Sequence, residues 1–241
     1  RTYYAPNNIT MIFSGDVTPE EIYLLADQYF SPIPRQHPPP AITIAEPEQR
    51  GERRFAIEKD AQAPLLHVAF HGGAADDDDA LQRTLLLSIL GEGDSSRLHR
   101  VLVEEDGLAV AVGVYDSAGF DAGLVYFYLT LPPGGDVAAA EARQHEELER
   151  AAKEGVGESE REKARHPQLA AYWRELETIR GKAAALGEYE EVDGDYVTLF
   201  DVPEKLAKTT PEALQAVAAK IFRRENMTVG ILRAPAGDET E

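Results

Sequence analysis

The stretch that decides the fold is DALQRTLLLSILGEGDSSRLHRVLVEEDGLAVAVGVYDSAGFDAGLVYFYLTL, which spans residues 79–131. The spacing of its apolar residues predicts two helices, over residues 79–90 and 95–105. Two long strands are predicted to follow, over residues 109–115 and 122–131, joined by a hairpin. A pair of helices followed by a pair of strands indicates a sheet that packs against helices.

Further elements are predicted on both sides of this stretch. Strands that come in adjacent pairs, separated by helices, favour an antiparallel sheet covered by helices on one side, which is an α+β fold. Pro167 lies inside one predicted helix and is expected to kink or restart it. The flanking elements are strands over residues 53–58, 65–71 and 227–232, and helices over residues 137–153, 158–188, 195–208 and 211–222.

The beginning of the chain predicts a separate strand and helix. Residues 8–17 read as a short apolar strand. Thr18, Pro19 and Glu21 then form the pattern of a capping box at the start of a helix. Residues 31–51 contain six prolines, and because proline removes a backbone donor and fixes φ, neither helix nor sheet can persist there. This part of the chain is interpreted as an interdomain linker.

A short repeat relates the two ends of the chain. The sequence YYxxxNITMI begins at Tyr3, and IFxxxNMTVG begins at Ile221. Each predicts an aromatic-ended helix tail, a turn and an Asn-x-Thr strand, which favours duplication of one architecture. The predicted organisation is the strand-helix tail of a first domain at residues 1–30, the linker at 31–51, a second domain at 52–235 and an acidic tail at 236–241.

Composition excludes several kinds of function. The chain has 24 Lys and Arg against 43 Asp and Glu, a formal charge of −19, which repels a phosphate backbone and argues against a nucleic-acid partner. It contains no cysteine, so thiolate metal sites and cysteine nucleophiles are excluded. Its apolar runs fall short of the ~20 residues of a membrane-spanning helix. Because it begins without Met or a targeting signal, we expect a piece of a longer protein.

Seven short motifs follow one another along almost the whole chain. They are YYAPNN at residues 3–8, SGDV at 14–17, LGEGDSSRL at 90–98, DGLA at 106–109, GEY at 187–189, TPE at 210–212 and NMTV at 226–229. In this order they resemble the motifs of the M16 zinc peptidases, the family of pitrilysin and the mitochondrial processing peptidase. The resemblance implies a LuxS/MPP-like metallohydrolase fold.

The resemblance also shows what this chain lacks. In M16 peptidases an HxxEH helix in the first domain supplies two zinc ligands and the glutamate that activates water. No histidine of this chain stands in such a motif, so we expect no metal or other cofactor here, and zinc is implied only for the full-length parent. The six histidines are His37, His67, His71, His99, His145 and His166.

A second departure concerns the oxyanion-stabilising pair of the family. Active members place an Arg and a Tyr seven positions apart around GLAY, where the two side chains hold the substrate carbonyl. Aligned on Gly107-Leu108-Ala109, those positions are Val103 and Val110 here. Neither valine side chain can donate a hydrogen bond. Since some family enzymes divide zinc and the Arg/Tyr pair between two subunits, the resemblance implies a possible M16-like partner subunit.

Two functions follow from this resemblance. In the first, the chain is the non-catalytic half of a zinc metallopeptidase, inactive alone, which encloses peptide substrate together with the missing N-terminal domain. In the alternative, the parent has lost zinc as well and serves as a scaffold or interaction subunit. The upstream sequence distinguishes the two, because only the first requires an intact HxxEH.

Three other features have simpler interpretations than a functional site. His67 and His71 lie on a predicted strand with no third ligand, which favours ordinary sheet histidines over a metal site. Residues 91–96 are glycine-rich but carry two carboxylates, so a helix start capped by Asp94 or Ser95 is favoured over a phosphate loop. The run of four aspartates at residues 76–79 favours helix capping over a calcium site, because the EF-hand spacing is missing.

Overall fold

The computed structural model describes residues 3–40 and 46–235 of a chain that divides into two compact units. The smaller unit combines residues 1–48 with residues 170–202, and the larger unit contains the rest. The grouping of residues 170–202 with the start of the chain has no counterpart in the sequence analysis. The predicted boundaries at the linker and at the acidic tail stay predictions.

Helices and strands account for most of the described residues. Strands β1 to β5 are Arg53–Glu58, Leu65–His71, Ala111–Asp116, Leu124–Thr130 and Met227–Arg233. Helices α1 to α8 are Pro19–Phe30, Ala80–Gly91, Arg97–His99, Val137–Glu154, Glu158–Glu177, Ile179–Val192, Val202–Lys208 and Pro211–Ile221.

The larger unit is built on one five-stranded sheet in the order β1-β5-β2-β4-β3. Three pairings, β5–β2, β2–β4 and β4–β3, are antiparallel, whereas β1 and β5 run parallel. The α+β class is therefore confirmed, and the predicted all-antiparallel sheet is wrong only at β1–β5. These two strands come from opposite ends of the unit, so no hairpin constrains their relative direction.

One face of the sheet forms the core of the larger unit. Alternate residues of each strand point to this face, as Val125, Phe127 and Leu129 do in β4, where all three are fully buried. The ring of Phe70 on β2 packs edge-on against Phe222, with the ring centroids 5.2 Å apart. Helices α2, α4 and α8 supply the facing apolar side chains, which are Leu85, Leu86, Leu90, Ala140, Leu148, Leu214, Val217 and Ala218.

The glycine-rich residues 91–96 begin a helix, as predicted, but later than expected. Gly93 adopts a φ of +75°, and the following turn places Ser96, rather than Asp94 or Ser95, at the N-cap of α3. After α3 the backbone continues as a π-helix over Arg100–Glu105. The predicted helix over residues 95–105 therefore exists with a wider last turn, a geometry often associated with functional sites.

The caps of the other helices are partly as predicted. The capping box of α1 is confirmed, since Glu21 N donates to Thr18 Oγ1 (3.3 Å) and Thr18 N donates to Glu21 Oε2 (3.2 Å). Asp79 occupies the N-cap of α2, but its carboxylate makes no cap hydrogen bond and instead pairs with Lys220 Nζ at 2.7 Å. A nearby lysine thus replaces the helix amides as the partner of this aspartate.

Three predicted elements differ from the structure. No strand forms over residues 8–17, which belong to no pairing of the described sheet. Helix α5 does not restart at Pro167 but continues through this exposed proline. The predicted helix over residues 158–188 instead divides at Thr178, whose Oγ1 caps α6 by accepting from Gly181 N (2.9 Å). Residues 195–208 form a 3₁₀ helix, Tyr196–Asp201, followed by α7.

Gln49 fixes the point at which the chain enters the larger unit. Its side chain is almost fully buried, and Nε2 donates to the carbonyl oxygens of Met227 (2.8 Å) and Gly51 (2.9 Å). The Thr228 hydroxyl donates to Gln49 Oε1 at 3.3 Å. The start of the unit is therefore bonded to β5 before the first strand begins.

We predict that Gly91→Ala destabilises the protein by about 1–3 kcal/mol, because a methyl group at this position overpacks the core. An added Cβ would lie 2.9 Å from Cβ of Val114, where α2 contacts β3. Gly119→Ala is the control, since an added Cβ there meets no atom within 4 Å. Urea denaturation checks the difference, and equal midpoints for the two variants would contradict the prediction.

Candidate functional site

The outer face of the sheet, opposite the core, carries a group of aromatic side chains. The pairing of the strands places one residue of each strand in a single row across the sheet. These residues are Phe55, Gly230, His67, Tyr128 and Gly113. Directly opposite residues of neighbouring strands share a face, so this row lies on one side of the sheet. A neighbouring row on the same face includes Tyr126 of β4 paired with Tyr115 of β3. We call Phe55, His67, Tyr115, Tyr126 and Tyr128 the aromatic face.

Two glycines let rings of the aromatic face lie flat on the sheet. A Cβ added to Gly113 would lie 2.1 Å from Cζ of Tyr128, and one added to Gly230 would lie 2.7 Å from Cζ of Phe55. Both rings therefore lie directly over the backbone of a glycine, where any larger residue would place its Cβ in the space that the ring occupies. Glycine inside a strand is a sequence signal for such close approach, and it could have pointed to this face before the structure was known.

The rings of the aromatic face also contact one another. The imidazole of His67 stacks on Tyr126 with centroids 6.2 Å apart and an interplanar angle of 15°, and it lies 6.1 Å from Tyr128. Tyr115 and Tyr126 are 5.3 Å apart. All of these side chains are at least partly exposed, and Phe55 and Tyr115 are about half exposed. The result is a solvent-accessible aromatic surface with no Asp, Glu, Lys or Arg among its five members.

Strand β3 forms one edge of the sheet beside this surface. Ser117 N donates to Leu124 O at 2.9 Å, so alternate residues beginning at Ala111 exchange hydrogen bonds with β4. The backbone groups of Val112 and Val114 point the other way, toward the edge that no other described strand covers. Natural proteins often protect such edges with proline or lysine, and β3 contains neither.

The two valines at the predicted Arg/Tyr positions each follow a residue of one backbone hydrogen bond. Ala109 N donates to Leu102 O at 2.9 Å, so Val103 and Val110 each follow one member of a hydrogen-bonded pair. Val103 lies in the π-helix and packs half-buried against the core. Val110 is 58% exposed, just before β3, and donates its N–H to Thr130 O at 2.8 Å.

An arginine contacts the turn between these valines but is held by carboxylates. Arg143 Nε lies 2.9 Å from Asp106 Oδ2, and its Nη1 lies 2.8 Å from Oε1 of Glu147. Glu147 is fully buried. The guanidinium of Arg143 is therefore held by carboxylates of α4 and of the residue that follows the π-helix.

The segment LGEGDSSRL at residues 90–98 has a structural role that its sequence did not predict. Arg97 is 8% exposed and makes two hydrogen bonds of 2.6 Å to Glu160, together with one of 3.1 Å to Gly155 O. The bidentate Arg97 guanidinium lowers the pKa of the Glu160 carboxyl, while burial opposes that shift. This ion pair ties α3 to the beginning of α5, 63 residues later in sequence.

The described residues do not fit a zinc site. Within residues 3–40 and 46–235, no group of three or more His, Cys, Asp or Glu side chains is arranged to hold a metal ion. His67 belongs to the aromatic face, and His71 accepts a hydrogen bond at its carbonyl oxygen from Asn226 Nδ2 (2.9 Å). In the same part of the chain, none of the helices combines the length and apolar character needed to cross a bilayer.

Comparison with known proteins gives one family. The profile of the peptidase M16 inactive domain matches residues 1–167. An uncharacterized zinc protease of Rickettsia bellii is 29% identical over 222 residues, which cover 91% of this chain and 52% of that protein. Zinc protease PqqE of Helicobacter pylori is 25% identical over 237 residues, covering 96% and 52% respectively. The chain spans about half the length of these curated relatives.

Solved structures establish the fold independently. The crystal structure of a protease from Helicobacter pylori matches with a TM-score of 0.83 at 23% identity, over 91% of this chain and 54% of that chain. The peptidase M16 inactive domain from Pseudomonas fluorescens matches with a TM-score of 0.81 at 19% identity, over 92% and 53%. Both confirm the predicted fold class.

We predict that Glu160→Gln lowers the free energy of unfolding at pH 7 by about 1–3 kcal/mol, because it leaves the buried Arg97 guanidinium without its charged partner. The pKa of Glu160 lies below its ordinary value of 4.5 in the folded state, so the pair stabilises at neutral pH. That stability is lost as the pH falls through the folded pKa. The difference between variant and parent should therefore shrink toward pH 3.

Urea denaturation at several pH values measures this trend, and Glu191→Gln, the same change at an exposed position, is the control. A Glu160→Gln effect that is small at pH 7, or that grows on acidification, would show that the pair contributes nothing of this kind.

Proposed function

We propose that this chain, which belongs to the family of peptidase M16 inactive domains, is the non-catalytic half of a longer zinc-peptidase-like protein and helps to enclose its peptide substrate. The relatives named zinc proteases are about twice as long as the chain. The described residues contain no group of three or more His, Cys, Asp or Glu side chains that could hold a metal ion, so zinc would be bound by the other half. The chain alone should cleave no peptide.

The observation that carries this proposal is the exposed aromatic face beside a strand edge that no other described strand covers. Exposed aromatic rings provide large apolar contact area at low cost in side-chain entropy, and they accept peptide side chains of many shapes. The outward backbone groups of Val112 and Val114 can bond an extended peptide as an added strand. A chain with a formal charge of −19 attracts basic peptides more readily than acidic ones.

With Val103 and Val110, this half would supply no side chain that stabilises the oxyanion. At these two positions the active enzymes of the family carry the side chains that stabilise the oxyanion, and removal of one such donor costs about a hundred- to a thousandfold in turnover. A parent protein that uses zinc would need these donors from elsewhere. We propose that a second, different M16-like chain provides them.

The same two valines favour a second candidate function. A homologue that has lost zinc needs no oxyanion donors, and valine at both positions is then neutral. Such a parent would act as a scaffold or interaction subunit, with the aromatic face and the β3 edge as its binding surface. An intact HxxEH in the upstream sequence supports the peptidase, and its absence supports the scaffold.

We predict that the full-length parent, purified free of any homologue, shows little peptide cleavage and that a partner carrying the Arg and Tyr restores it. Val103→Arg with Val110→Tyr should recover part of the activity without a partner. Val110→Tyr alone is the matched control, because a single donor restores less than the pair. Steady-state turnover with and without the partner decides the question, and substantial activity of the lone parent would exclude the two-subunit proposal.

We predict that Tyr115→Ala raises KM for peptide in the full-length parent, assayed with its partner, by roughly 5- to 30-fold, since one aromatic contact is worth about 1–2 kcal/mol. Phe120→Ala is the control, because Phe120 is an exposed aromatic residue at the tip of the same hairpin but outside the aromatic face. If both variants bind peptide as the parent does, the aromatic face takes no part in enclosing substrate.

A further inference from the structure

A cavity of about 280 Å³ lies on the helical side of the larger unit. Its wall is formed by the end of α2, the loop that follows, α3 with the π-helix, and the first half of α5. Three serines, Ser88, Ser95 and Ser159, line it, and we call it the serine pocket. Because α2 packs on the core face of the sheet, the serine pocket is separate from the aromatic face. A ligand in it does not compete with a peptide on the aromatic face.

The wall of the serine pocket carries two cationic side chains without a strong ion pair. Arg97 and Glu160 also line it, but they neutralise each other through their two hydrogen bonds of 2.6 Å. Among the described residues, Lys163 Nζ makes one long hydrogen bond, of 3.4 Å, to a carbonyl oxygen of the pocket wall. Arg100 Nε lies 3.5 Å from Oε1 of Glu105, and because both side chains are about half exposed this pair is weak. Two positive charges are therefore available to a ligand.

The serine pocket also offers hydrogen-bond acceptors. Glu92 lines it, and its carboxylate forms no hydrogen bond or ion pair with any described residue. Pro167 has no N–H, so the carbonyl oxygen of Lys163, one helical turn earlier, receives no hydrogen bond from that position. Because Lys163 and Pro167 both line the pocket, this carbonyl lies on the pocket side of α5. A ligand that fits must therefore bring donors as well as negative charge.

We propose that the serine pocket binds a small anionic amino acid of the glutamate type. The two carboxylates of this ligand pair with Arg100 and Lys163, and its ammonium group donates to Glu92 and to the carbonyl oxygen of Lys163. The ligand thus matches the available charges of the wall, two positive and one negative, with opposite signs. The volume of the pocket lies just below the range of drug-sized ligands, which suits a molecule of about ten non-hydrogen atoms.

Inorganic phosphate fits the same wall less well. The formal charge of −19 repels a doubly charged anion more strongly than an amino acid with a single net negative charge. The carboxylate of Glu92 also repels phosphate oxygens, which is the argument against a phosphate loop at residues 91–96. For an amino-acid ligand the same carboxylate is the partner of the ammonium group, so the feature that excludes phosphate favours this ligand.

Calorimetric titration of the full-length parent with three related compounds tests the charge pattern, and it needs no peptide cleavage. L-glutamate should bind with a dissociation constant below about 1 mM. Glutarate lacks the ammonium group and L-glutamine lacks one carboxylate, so each should bind at least ~10-fold more weakly, because a charged group of the wall then has no partner. The proposal fails if L-glutamate does not bind at about 10 mM, or if glutarate or L-glutamine binds as tightly.

Variants of the wall locate the site. Lys163→Gln should weaken binding of L-glutamate by at least ~10-fold, and Glu92→Gln should remove the preference for L-glutamate over glutarate. Lys153→Gln is the matched control, because Lys153 is an exposed lysine of α4 outside the pocket. Lys163 and Glu92 are exposed as well, so all three variants should melt at the temperature of the parent without ligand. Binding of L-glutamate that Lys163→Gln leaves unchanged, or that Lys153→Gln weakens equally, would place the ligand elsewhere and overturn the proposal.

Discussion

Burial of a single face of the five-stranded sheet is the constraint on which the larger unit depends. Strands β2, β4 and β5 send alternate side chains into one core, and helices α2, α4 and α8 cover that core. Because the side-chain period of a strand is two, this leaves every intervening residue on the outer face. The aromatic face is the direct consequence: its rings occupy the positions that the core does not use.

Two kinds of long-range contact stabilise this arrangement, and neither could be predicted from the sequence. The periodicity of the chain was sufficient to predict all five strands and the hairpin between β3 and β4, since these depend on local pattern. The parallel pairing of β1 with β5, and the ion pair of Arg97 with Glu160, join residues far apart in sequence. No local pattern specifies such partners, so only the structure reveals them.

The candidate site could be predicted only in part, because the sequence shows local patterns but not which distant residues come together. Val103 and Val110 were predicted from a motif, and the structure joins the residues that precede them, Leu102 and Ala109, by one backbone hydrogen bond. The aromatic face was missed, although Gly113 and the alternation of Tyr126 and Tyr128 with buried residues were visible signals. The strand predicted over residues 8–17 shows the opposite case. Its alternation is real, but a strand exists only where neighbours supply hydrogen-bond partners.

The buried amide of Gln49 has a mechanical consequence. Because its Nε2 bonds to the carbonyl of Met227 at the start of β5, tension applied through the preceding proline-rich segment reaches a central strand of the sheet first. The edge strand β1 lies downstream of this anchor and is shielded from the load. Hinge motion of the upstream chain would therefore be resisted first by β5, which is paired on both sides, before the load reaches β1.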